Sequence, residues 1–197
     1  MAGEVSGLPK MPPKMPPKNR VPFVHACVWS LCSHLCVSPP GPENVWGSAG
    51  VPLLLTFPLY LNSTPLHPVL PLAILGTFAT KLSDTFASEI GKAYGKTTFL
   101  ITTFRRVPPG TEGAVSLEGT VGGILGALVM TLCGAVLGTV TSYKVAGVVM
   151  LSAFLATSVE SVIGATVQEG RLSNEMVNFI MCVIGAGFNI YFGRKVV

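Results

Sequence analysis

From Val121 to Val140 the chain runs for twenty residues without a charged side chain. Wound as an α-helix, such a run covers about 30 Å, the thickness of a bilayer's hydrocarbon core. Gly119, Gly123, Gly126, Gly134 and Gly138 recur in and beside it at three-, four- and eight-residue steps, so a neighbouring helix can approach its backbone closely. Two further spans follow. Val145–Val167 is apolar except for Glu160, and Met176–Phe192 is closed by Gly193-Arg194-Lys195. Only 11% of the 197 residues are charged and 49% are hydrophobic. That is about half the charged share of a soluble domain, which excludes a water-soluble globule. A net charge of +4, scattered along the chain, excludes a nucleic-acid footprint.

Residues 68 to 95 read as an earlier helix whose first half lies in lipid and whose second half emerges, with Pro71 in the first turn, where a missing amide costs little. Val51–Leu61 is apolar but carries Pro52 and Pro58, is too short to span alone, and ends in the turn Asn62-Ser63-Thr64-Pro65. The expected fold is therefore all-α: a polytopic membrane protein of about four membrane helices, with a membrane domain at residues 51–197. Residues 1–50 hold nine of the sixteen prolines and the repeat Lys10-Met11-Pro12-Pro13-Lys14-Met15-Pro16-Pro17-Lys18, which predicts a disordered or loosely attached tail. The five cysteines form no disulfide framework, and His25, Cys27, Cys32, His34 and Cys36 lack zinc-finger spacing. Orientation follows from positive charge. Lys81, Lys92, Lys96, Arg105, Arg106 and Arg171 outnumber Lys144, Arg194 and Lys195, so the long connection before residue 121 faces the cytosol or its organellar equivalent.

Chemistry concentrates between Lys81 and Thr120. On a helix Asp84, Ser88, Gly91 and Gly95 share one face, and Glu89, Lys92 and Lys96 occupy an adjacent one. Asp84 sits at the membrane boundary, where an ionised carboxylate is expensive unless it faces partners or water; Glu89 and Lys92 also have the spacing of an ordinary surface pair. Gly91-Lys92-Ala93-Tyr94-Gly95-Lys96-Thr97 is one residue too short between glycines for a Walker loop and follows no strand, although Lys92 and Lys96 suit phosphate contacts. Arg105-Arg106 can fork onto phosphate oxygens or hold the loop at lipid headgroups. Gly110 and Gly113 let backbone amides turn toward one anion, and Ser116 is placed to cap a following helix whose N-terminus favours phosphate. Glu160, about two turns before the end of its span, falls on the same side of the membrane as Asp84 and the arginines. Asn174, Asn178 and Asn189 offer polar contacts in the last helix.

The runs Ser83-Asp84-Thr85-Phe86-Ala87-Ser88-Glu89-Ile90-Gly91-Lys92, Pro109-Gly110-Thr111-Glu112-Gly113-Ala114-Val115-Ser116-Leu117-Glu118-Gly119 and Glu160-Ser161-Val162-Ile163-Gly164-Ala165-Thr166-Val167-Gln168 resemble the transmembrane-protein-nineteen family, whose plant members include the phytyl-phosphate kinase of vitamin E (tocopherol) synthesis. The resemblance covers about residues 66–197. It implies an integral membrane enzyme, of the chloroplast envelope, that transfers a phosphoryl group from a nucleoside triphosphate, CTP, to phytyl phosphate with Mg²⁺. On that implication Asp84, Glu89 and Lys92 are catalytic, and Asp84, Glu89, Glu118 and Glu160 hold the metal. Ser88, Lys96, Arg105, Arg106, Gly110, Gly113 and Ser116 contact substrate phosphates. Family members carry more helices ahead of the Asp84 motif, which implies that this chain is N-terminally truncated. Two other readings stay open: a transporter or ion pathway using intramembrane carboxylates, and a non-catalytic fragment.

Overall fold

A computed structural model describes residues 42–61, 65–167 and 172–197. The proline-lysine repeat, the His-Cys group, Asn62-Ser63-Thr64 and Arg171 lie outside the described residues. The elements are α1 (Pro42–Leu61), a 3₁₀ turn (His67–Val69), α2 (Leu70–Tyr94), β1 (Thr98–Leu100), β2 (Ala114–Ser116), α3 (Leu117–Val136), α4 (Tyr143–Thr166) and α5 (Asn174–Gly193). By length and composition α3, α4 and α5 are each fit to cross a membrane, and Val45–Leu61 is a shorter apolar helix. Leu125, Leu132 and Val136 on α3 and Leu151 and Phe154 on α4 are exposed large apolar side chains, as faces turned to lipid should be.

The bundle is organised around α2, which packs against each of the other four helices. Its neighbours α3 and α5 both run antiparallel to it. Along α3, Gly119 meets Ala87 and Gly91, Gly123 meets Ser83 and Ala87, Gly126 meets Leu82, and Gly134 meets Leu75. Along α5, Gly185 lies on Thr80, Asn189 on Gly76, and Gly193 on Leu72. One apolar core joins Leu72, Leu75 and Ala79 of α2 to Ala127 of α3 and to Val145, Val149 and Ala153 of α4. A second joins Ala73 of α2 to Val51 of α1 and to Cys182 and Ala186 of α5. The first half of α2 therefore lies in the protein interior, not in lipid as its apolar sequence suggested, and this is why a helix with several charges in its second half can sit at the bundle's centre.

Two boundaries differ from the sequence reading. The uncharged run covers 121–140, but α3 occupies Leu117–Val136. Ser116 starts it early by accepting the Gly119 amide at 3.0 Å. Gly138, at φ +76°, stops it early in the left-handed conformation that ends helices. At the other boundary α1 begins at Pro42, so residues 42–50, expected in the tail, extend the short apolar run into a twenty-residue helix. Its internal Pro52 has no amide to give to the Ser48 carbonyl one turn back, and the Cys182 thiol of α5 approaches that carbonyl instead, at 3.9 Å.

Candidate functional site

Polar side chains from three helices, ionisable on α2 and α4 and an amide on α5, meet in one layer near one end of the bundle. The Lys81 ammonium on α2 lies 3.1 Å from Asp84 Oδ2 on its own helix and donates to Asn178 Oδ1 on α5 at 2.7 Å. Glu160 on α4 is half-buried, with Asp84, Lys81 and Glu112 of the β1–β2 connection within electrostatic reach. Helix arithmetic fixes the depth. Ser83, next to Asp84, packs on Gly123, six residues into α3; Glu160 stands six residues before the end of α4; Asn178 is four residues into α5. At 1.5 Å per residue, all lie about 6–9 Å inside the helix ends. Charges at that depth persist only when paired, and Lys81 supplies the pairing cation.

The layer is short of positive charge. Among the described residues named as acting on Glu160, Lys81 is the one cation beside Asp84 and Glu112, so at full ionisation this group carries two net negative charges. A phosphate ester would be repelled unless a divalent cation entered with it. Mg²⁺ is commonly held by one or two carboxylates plus substrate phosphates, and carboxylates are the donors that Asp84 and Glu160 offer. The expected four-carboxylate centre does not assemble: among the described residues no three His, Cys, Asp or Glu side chains gather as a metal-holding group. Glu89 faces away and pairs with Lys92 at 3.6 Å, while Glu118 sits in the first turn of α3.

Other expected contacts take different places. Ser116 is 6% exposed, with its hydroxyl engaged as the α3 cap and Gly91 and Gly95 pressed over it, so it does not present an open helix end to phosphate. Ser88 donates to the Thr85 carbonyl at 3.1 Å. In the loop expected to turn amides toward an anion, two amides are engaged in local turns: Thr111 donates to the Pro108 carbonyl at 3.3 Å and Ala114 to the Thr111 carbonyl at 3.0 Å. Gly110 is exposed at the loop's edge. Gly113, at φ +71°, lies directly on the α4 backbone at Ser161 and Ala165, which docks the loop one turn from Glu160. Lys92, Lys96 and Arg105 are exposed, and the Arg106 guanidinium sits 6.0 Å from the Phe99 ring centre. Lys81 was counted with the loop charges. The structure turns it inward, and the signal available was its position three residues before Asp84. Glu112 passed unnoticed inside the loop motif.

Fold and site define a polytopic helical integral membrane protein with a charged layer near one face. The chain belongs to the family described as Integral membrane protein DUF92, which matches residues 40–186. It is 48% identical over 154 residues to an uncharacterized membrane protein of Synechocystis sp., covering 76% of this chain and 58% of that one. It is 41% identical over 152 residues to Protein VTE6, chloroplastic, of Arabidopsis thaliana, covering 74% and 45%. An uncharacterized membrane protein of Methanocaldococcus jannaschii is 35% identical over 112 residues, covering 56% and 46%. The chain thus spans about half the length of these relatives. No solved structure matches it.

Proposed function

We propose that the chain forms the phosphate-handling part of a membrane kinase of tocopherol synthesis, in the chloroplast envelope, that transfers the γ-phosphoryl group of CTP to phytyl phosphate. The observation that carries this reading is the Lys81–Asp84–Asn178–Glu160 layer, set just inside one end of the bundle beside a loop bearing exposed arginine. Likeness to the chloroplastic relative and the three sequence motifs support it. An isoprenoid phosphate is suited to such a place, because its chain stays among apolar helices while its phosphate meets nucleotide from water.

The acceptor is already a nucleophile at neutral pH, since a phosphate monoester's second pKa is about 6, so no strong general base is required. An acceptor oxygen bonds to the γ-phosphorus, the bond from that phosphorus to the β–γ bridging oxygen breaks, and CDP leaves. Catalysis then consists of alignment and charge neutralisation. Asp84 and Glu160 would hold Mg²⁺, which supplies charge neutralisation between donor and acceptor. Lys81 orients Asp84 before substrate arrives, and Asn178 fixes Lys81. Lys92 and Lys96, exposed toward water, draw in the nucleotide phosphates, and Glu89 restrains Lys92.

The test is conversion of phytyl phosphate to the diphosphate, followed by mass spectrometry in vesicles with CTP and Mg²⁺. The chain is assayed alone and fused to the portion of the Arabidopsis relative that lies outside the match. Product is expected in at least the fused form, with Asp84→Asn slower by at least about 100-fold, roughly 2.7 kcal/mol. Absence of product in both forms, or near-normal turnover of Asp84→Asn, overturns the proposal.

A further inference from the structure

Among the described residues Phe104 is the one non-glycine with a positive φ, 53°. Bulky side chains avoid this left-handed region. The surrounding backbone leaves no freedom to relax: the Phe104 amide donates to the Leu100 carbonyl at 2.8 Å, the Leu100 amide to the Arg105 carbonyl at 2.9 Å, and the Val107 amide to the Thr98 carbonyl at 3.0 Å. Phe99 and Arg106 form an antiparallel bridge. Ile101–Phe104 is therefore a tight four-residue turn whose last position suits glycine or asparagine. Phenylalanine stands there with its side chain 77% exposed. Nothing in the hairpin's own packing requires it.

The hairpin's position indicates what the ring meets. β1 pairs on its other edge with β2, whose last residue, Ser116, caps the membrane span α3 with no linker between them. Gly113 fastens the same loop to the end of α4. An exposed aromatic ring followed directly by an exposed arginine thus projects from a rigid turn close to where α3 and α4 leave the hydrocarbon. Aromatic side chains collect at that level, and arginine beside them reaches lipid phosphates.

We propose that Phe104 inserts into the headgroup–acyl boundary of the bilayer, with Arg105 on lipid phosphate, and so anchors the β1–β2 connection over the Glu160 end of α4. The backbone strain is kept because the ring's partner is the membrane. The anchor holds whichever reaction the charged layer serves.

The test uses the full chain in phosphatidylcholine–phosphatidylglycerol vesicles, with Trp29→Phe and Trp46→Phe as background and Phe104→Trp as the probe. Blue-shifted emission, quenched about twofold or more by lipids brominated near the headgroup, is expected for an interfacial ring. Water-like emission insensitive to brominated lipid overturns the anchor. So does quenching by CTP without quenching by brominated lipid, which would assign the ring to a nucleobase instead. A second variant separates anchoring from folding. Phe104→Asn suits the turn, so amide exchange at Leu100 and Val107 should stay slow while tryptic cleavage after Arg105 in vesicles rises about tenfold. Faster exchange at those amides, with cleavage unchanged, would mean the ring packs the hairpin and would sink the proposal.

Discussion

Gly113→Ala and Gly110→Ala form a matched pair that tests whether the loop is docked on α4. Both glycines lie in the same connection with left-handed backbones, φ +71° and +88°. An alanine at either one carries the strain of that conformation, about 1–2 kcal/mol. The surroundings differ. A Cβ at Gly110 meets nothing within 4 Å, whereas one at Gly113 would overlap Ser161 O and Ala165 N of α4. Those are backbone atoms of a packed helix and cannot turn aside, so the loop must lift, adding about 1–3 kcal/mol of overpacking cost. Gly110→Ala should therefore cost about 1–2 kcal/mol and Gly113→Ala about 2–5 kcal/mol. The assay is reversible unfolding in mixed micelles titrated with sodium dodecyl sulfate, read by circular dichroism. Ala165→Gly added to Gly113→Ala should recover little, because it removes a methyl and leaves the backbone in place. Equal costs for the two alanines, or full rescue by Ala165→Gly, would refute the docking of the loop beside Glu160.

Lys81→Met and Asn178→Leu, measured singly and together, should show a coupling of about 1 kcal/mol in the same unfolding assay, within the range for hydrogen bonds between membrane helices; additive effects would deny the 2.7 Å contact between α2 and α5. Ser116→Ala should cost about 1 kcal/mol through loss of the α3 cap, and faster amide exchange in the first turn of α3 would locate the damage. Glu89→Gln should shift stability by less than about 0.5 kcal/mol, because its lysine partner is 46% exposed; a larger loss would place Glu89 in a buried network.

What the sequence made legible was whatever depends on one helix at a time. Apolar runs located α3, α4 and α5, and the Ser116 cap could be read because capping is a local bond. The shared face of Asp84, Gly91 and Gly95 was also correct as helix geometry, yet its members serve different neighbours: the glycines close over the start of α3, while Asp84 turns to Lys81. That division depends on how α2 crosses α3 and α5, which no single-helix pattern contains. Lys81 shows the same limit. As a sequence position it was one more loop cation, and only the rotation of α5, bringing Asn178 to within 2.7 Å, turns it inward. Gly113 shows it too: the sequence offers it as a place where backbone amides can turn toward an anion, and its close approach to the α4 backbone at Ser161 and Ala165 depends on a helix much further along the chain.

The depth profile of polar groups also bears on transport. A cation pathway needs polar groups at successive depths with room between them. Below the Lys81–Asp84–Asn178 layer, the next polar groups on the α2–α5 interface are Thr80, Thr77 and Asn189, all buried and none charged. They do not line a passage: Asn189 presses on Gly76, Thr80 presses on Gly185, and a single methyl added at either glycine would overlap its neighbour. The Thr80 hydroxyl donates to the Gly76 carbonyl and Asn189 Nδ2 to the Gly185 carbonyl, at 2.8 and 2.9 Å, while Asn189 Oδ1 is buried without a hydrogen-bond partner among the described residues. Approach to the charged layer from the opposite face is thus closed along this interface, while the exposed loop and lysines lie on the near side. Vesicles loaded with a pH- or Mg²⁺-sensitive dye should accordingly show no flux above protein-free controls, and Gly76→Ala should cost stability without opening any. Flux that Glu160→Gln abolishes would instead require these carboxylates to pass cations between the faces.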